Sequence, residues 1–205
     1  MQELIGYIMG MALLHRGTTR RLIQDPHRLR HGAAACLLIG VLYTVSVWAG
    51  YLHGFGAVMK PWLPIPARDY YLWETIFTIP AFFVILATAG AVTQLVARAL
   101  GGTGTFEDTF CVLSLGILLP TFLLMWVPET LVLVFLPQLR AEQLGGFSFM
   151  PDWLNIARQV AVPVWAFVGW VHAMPDVHRF GTLSAVFAVA VGLAPAVIIA
   201  LVFIR

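Results

Sequence analysis

The side chains in this sequence with the means to do chemistry are few, and histidine is the most suggestive of them. His27 and His31 stand four residues apart, the spacing that sets two imidazoles on one helical face as a zinc site often requires. His172 and His178, together with His15, fall on the same side of the membrane in the topology derived below. No acidic residue stands between His27 and His31, and arginines are interleaved, so basic side chains in water or against lipid are the expectation and no metal is expected.

Gly101-Gly102-Thr103-Gly104-Thr105 has the glycine content of a phosphate cradle, but no strand precedes it and no Gly-Lys-Ser or Gly-Lys-Thr ends it, so no nucleotide is expected. Its structural reading is stronger. Gly101 or Gly102 supplies the left-handed residue that ends one helix, Gly104 completes the turn, and Thr105 with Asp108 resembles the capping box that starts the next. Arg16, Arg20, Arg21, Arg28 and Arg30 form a basic cluster, in which each cation near an anionic leaflet contributes about 1 kcal/mol and helps set topology. A lipid or protein partner at this face is one expectation; topology alone is the other. Glu74, Glu107, Asp108 and Glu129 flank the apolar stretches, which leaves few carriers for an ionic path at the bilayer centre. There is no Gly-x-Ser-x-Gly and no His-Glu-x-x-His, and the sequence nominates no catalytic residue and no cofactor.

What must position these groups is a set of helices in lipid. Of 205 residues, 60% are hydrophobic and only 11% charged, against about 25% charged in an ordinary soluble domain. Segments free or nearly free of charge over spanning length predict an all-α membrane protein, a bundle of five transmembrane helices with an N-terminal interfacial amphipathic helix. Residues 1–32 read as a basic interfacial segment and 33–205 as the bundle, with spans at 33–53, 73–99, 106–127, 153–174 and 180–204. The fourth span carries Arg158 near one end and His172 near the other, read as side chains reaching for the interfaces. Residues 4–14 are too few to cross and either lie along the surface or pack on the bundle, and 130–136 either extend the third span or dip into the interface. Glu3 precedes the first apolar run and arginines follow it, the reverse of a signal peptide, so this segment is expected to be retained. Cys36 and Cys111 read as small buried hydrophobes.

Five spans put Arg16, Arg20, Arg21, Arg28, Arg30, Arg98 and Arg179 on one side and Lys60, Arg68, Arg140, Arg158 and Arg205 on the other, which predicts a cytoplasmic amino terminus and an external carboxyl terminus. Trp48, Tyr51, Tyr70, Tyr71, Trp73, Trp126 and Trp153 cluster toward the external ends, as an aromatic belt requires. Ser184, Ala188, Gly192, Ala196 and Ala200 recur every four residues on the last span, a ladder that admits close helix approach, within one chain or between copies. Pro80, Pro120, Pro163 and Pro195 lie inside spans and predict kinks, either to shape the bundle or to break helices around a transported ion or substrate.

With these features in hand the chain resembles Yip-domain membrane proteins of the short prokaryotic kind. The likeness runs from the amphipathic start and its basic residues, through Ala99-Leu100-Gly101-Gly102-Thr103-Gly104-Thr105-Phe106-Glu107 and Pro120, to Trp165, Trp170, Val171, His172, the basic turn at His178 and Arg179, and a final apolar helix. It implies five membrane helices with a cytoplasmic amino terminus, in this case in a bacterial inner membrane. Better-known eukaryotic relatives act in vesicle trafficking and associate with small GTPases and one another; this chain lacks their long polar amino-terminal region. The expected function is a non-enzymatic membrane protein that organises membrane lipids or protein partners, with self-association possible and no nucleic acid, since net charge is only +2. The alternatives are a channel or transporter built on proline-broken helices and, last, an intramembrane metalloenzyme.

Overall fold

The computed structural model describes residues 2–57, 60, 62–139 and 146–204, and for residue 16 the backbone only. Arg140 and Arg205, used in the charge count above, lie outside the described residues. The described chain is all helical apart from its connections. Two short helices, α1 (Gln2–Ala12) and α2 (Arg16–Gln24), precede α3 (Arg28–Leu52), α4 (Tyr70–Ala99), α5 (Phe106–Thr121), α6 (Val127–Phe135), α7 (Asp152–His178) and α8 (Thr182–Phe203). A five-residue π turn, Phe122–Trp126, joins α5 to α6 without a break, so Phe106–Phe135 is one continuous element. Residues 130–136 therefore belong largely to the third span as its extension. Five helices are long and apolar enough to cross a membrane. This is an integral membrane protein, a helical bundle.

The centre of the bundle is α5. Residues from Thr109 to Gly116 are buried without interruption, so this helix is covered on all sides, as its apolar circumference demands. Helices α1, α3, α4 and α7 surround it. Glycines set the spacing: a methyl group on Gly32 of α3 would stand 2.7 Å from Cys111 Sγ, and one on Gly116 would stand 2.7 Å from Trp170 Nε1. Helix α8 lies at the edge, packed chiefly on α4, with Leu183, Phe187, Val197 and Ile198 facing outward. On α3, Leu37, Val41, Val45, Trp48 and Leu52 form the outward apolar stripe, about one turn apart.

Among the aromatics assigned to a belt, Trp48, Trp73 and Trp153 are exposed, but Tyr70, Tyr71 and Trp126 are buried inside the bundle. Tyr70 has a specific reason to be there. Its hydroxyl donates to Val202 O at 3.1 Å and Phe203 O at 3.2 Å, covering carbonyls that the end of α8 leaves without helical partners.

Candidate functional site

The end of the bundle that carries α1 and α2, called the near end, concentrates most of the residues singled out by the sequence. Helix α1 is packed on α5 and α7. Met11 and Ala12 are buried, Leu4, Tyr7 and Ile8 pack against the core, and Trp165 Nε1 donates to Ala12 O at 2.9 Å. Its opposite face presents Ile5 and Met9, continued by Leu13 just past the helix end, as an exposed apolar stripe spaced by four. The helix is thus docked on the bundle and amphipathic in an inverted sense, with apolar surface left over on the outside.

The glycine-rich turn is a latch between helices. Gly101 adopts φ +86°, the left-handed residue that ends α4. Thr105 Oγ1 accepts from the Asp108 N–H at 3.2 Å while Asp108 Oδ2 accepts from the Thr105 N–H at 3.1 Å, a complete capping box. Gln94 Nε2 donates to Gly104 O at 2.6 Å, and the Thr109 hydroxyl lies 3.2 Å from Gln94 Oε1 and 3.0 Å from His178 Nε2. The Thr103 N–H donates to His178 O at 3.1 Å, so the turn is stitched to the end of α7 by both side chain and backbone. Space enforces this: a methyl on Gly104 would stand 2.8 Å from both His178 Nδ1 and Val177 O.

The basic cluster is divided between inward and outward roles. Arg28 pairs with Glu107 at 3.1 Å and Asp108 at 2.7 Å, and its carbonyl accepts from Cys111 Sγ, fixing the start of α3 to the start of α5. Arg20 pairs with Asp176 of α7 at 3.0 Å. Arg21 and Arg30 are exposed, and the Arg16 side chain lies outside the described residues.

The histidines do not converge as a group. His178 is fully buried in the latch, His172 lies beside Gly10, Met11 and Gly169 where α1 meets α7, and His27 is the residue preceding α3 rather than a member of it. Among the described residues, His31 joins two acidic groups: Asp25 and Glu3 bring their oxygens within 4.8 Å of its ring nitrogen and of each other. Asp25 is held below the usual carboxylate range, first by the His27 N–H and against the effect of burial, with further help from the Tyr7 hydroxyl. Tyr7 in turn is pushed up to about 12 by burial and by its bond to Asp25.

At the far end, sequence reasoning missed the principal contact. Arg158 does not reach out to the interface: its side chain is 9% exposed and its guanidinium Nη1 donates to Glu129 Oε1 at 3.2 Å and to Leu124 O, inside the π turn, at 2.6 Å. The Phe147 ring covers it at 4.6 Å, and Phe147 is held by Asn155, which accepts from its N–H at 3.0 Å and donates to its carbonyl at 3.1 Å. A signal was available, since an ionisable group inside an apolar helix needs a partner and Glu129 opens the next segment back along the chain. Tyr43 reaches Glu74, which is completely buried, and Ser46 bonds to Thr130.

Glu74 and Gln94 are buried polar residues of α4 that stand about 30 Å apart along it at 1.5 Å per residue. Between them α4 offers Ala81, Leu86 and Ala89 to the core. Ala188, Gly192 and Ala196 are buried on α8, and a methyl on Gly192 would overlap Thr93 of α4, so the ladder packs within the chain; Ser184 and Ala200 at its ends are partly exposed. Pro80, Pro120, Pro163 and Pro195 all lie inside helices, and Pro120 is followed within two residues by the π turn.

The model of the Yip1 domain matches residues 11–204 of this chain. Comparison with curated proteins and with solved structures found no match.

Proposed function

This chain belongs to the Yip1 domain family of helical membrane proteins, and from that premise we propose that it is a non-enzymatic protein of the bacterial inner membrane that organises lipids at its near end, placed on the cytoplasmic side. One observation carries the reading: α1 is docked by one face and leaves Ile5 and Met9, with Leu13 just past its end, exposed on the other, at the end of the bundle that also carries the exposed Arg21 and Arg30. An apolar stripe at the same end as guanidinium groups is what the headgroup and acyl boundary of an anionic leaflet accommodates. A GTPase or other protein partner, as the eukaryotic relatives have, would use the same face.

The test is native mass spectrometry and photo-crosslinking of the detergent-purified chain. Retention of anionic phospholipid that drops in Arg21→Gln/Arg30→Gln, with crosslinks from position 9, supports the reading. Recovery of no lipid, no partner and no homo-oligomer from intact membranes overturns it. Flux in proteoliposomes, abolished by Glu74→Gln, would put a transporter in its place.

A further inference from the structure

Three side chains from separate segments of the near end meet at one point: Glu3 from the first turn of α1, Asp25 from the link between α2 and α3, and His31 from the first turn of α3. Two carboxylates brought this close repel each other unless a cation or a shared proton lies between them. Asp25 is oriented from behind, with the His27 N–H donating to Oδ1 at 2.7 Å and the Tyr7 hydroxyl to Oδ2 at 2.9 Å. The Tyr7 ring lies against the imidazole, centroids 5.3 Å apart, and fixes its plane.

His31 also stands close to Asp25, with Nε2, on a side chain only 16% exposed, 3.2 Å from Asp25 Oδ2. Two ligand atoms seated side by side on one ion, at bonds of about 2.0–2.2 Å, stand roughly 3.0–3.4 Å apart. The Asp25–His31 separation falls in that range, and the Glu3 carboxylate comes within 4.8 Å of both.

The geometry points to a divalent-cation site of the zinc class formed by Glu3, Asp25 and His31. The mixed nitrogen and oxygen donors suit zinc and its first-row neighbours, whereas calcium and magnesium take oxygen donors. Tyr7 is the outer group that orients the carboxylate. Three protein donors leave a fourth position for water. Because Glu3 is on α1 and His31 on α3, the bound ion fastens the docked helix to the bundle, and this holds whether or not that helix engages lipid.

The test uses the full chain in detergent, stripped with a chelator and titrated with Zn²⁺ against a chromophoric competitor, then with Co²⁺ for its visible absorption. One ion per chain is expected, with affinity falling at least about tenfold in Glu3→Gln and in His31→Gln and about tenfold in Tyr7→Phe. His172→Gln is expected to bind as the parent does. Glu3 is exposed, so its substitution does not act through unfolding. No zinc bound by the parent chain, or unchanged affinity in either ligand variant, overturns the site.

Discussion

The two ends of the bundle are closed by polar chemistry of different burial. At the near end local bonds, Thr105 with Asp108 and Gln94 with Gly104 and Thr109, stand beside long-range ones, Arg20 with Asp176, Arg28 with Asp108 and Trp165 with Ala12. At the far end Arg158, its side chain 9% exposed against 24% for Arg28 and 66% for Arg20, bonds to Leu124 and Glu129, and Tyr70 bonds to the last carbonyls of α8. A short-range bond forms with the helices it caps, and losing one leaves its neighbours in place. A buried charge is different, because removing its partner leaves an ion in a medium that cannot solvate it. The near end spreads its ion pairs over partly exposed cations, and the far end holds Arg158 in the interior.

The largest break in that contrast is expected from Arg158→Ala, which strands Glu129 and costs about 3–5 kcal/mol in detergent-mediated unfolding followed by circular dichroism. Arg158→Met with Glu129→Leu is expected to recover most of the loss, since the desolvation penalty leaves with both charges. Gly104→Ala comes next, at about 1–3 kcal/mol, because the added methyl meets the Val177 carbonyl as well as side-chain atoms of Val177 and His178; a lowered midpoint in a thermal gel-filtration assay reads it. Thr105→Ala removes one half of the capping box and is expected to cost about 1 kcal/mol, visible as faster hydrogen exchange confined to the first turn of α5. The smallest effect has the opposite sign. Arg179 ends α7 with φ +58°, a conformation that favours glycine, so Arg179→Gly is expected to stabilise by about 1 kcal/mol in the thermal assay. If Arg158→Ala costs no more than Thr105→Ala, the contrast between the ends fails.

How far a contact reaches along the chain explains what could be read from the sequence. The spanning helices, the left-handed Gly101 and the Thr105–Asp108 cap are legible because each is set by hydropathy or by residues within four positions. Hydropathy marks what lipid covers rather than where a helix stops: α3 begins at Arg28, ahead of the uncharged stretch. Arg158 was misread because local pattern gives a charge near a helix end no direction, and its partner is on another helix. Asp25 escaped notice in the metal argument for a related reason. It is close to His31 only because a turn brings the residues before α3 back against that helix, and a search for an acid between two histidines passes over it. Trp126, Tyr70 and Tyr71 look alike to a count of belt aromatics, yet two of them are held by ring contacts or carbonyls in the interior.

The π turn after Pro120 has a consequence for alignment along the third membrane helix. A turn closed from residue i to i+5 holds one residue more than an α turn, as the Val127 N–H bonded to Phe122 O illustrates. Everything downstream is therefore out of phase with α5 by one position, or about 100° of azimuth. Closing this stretch with uniform α geometry at unchanged length would swing Glu129 about 100° away from α7, whereas deleting one residue from 122 to 126 would let a plain α-helix keep Glu129 where it stands. The helix is a screw with one deliberate slip in its thread, and the far-end ion pair is cut to the slipped pitch.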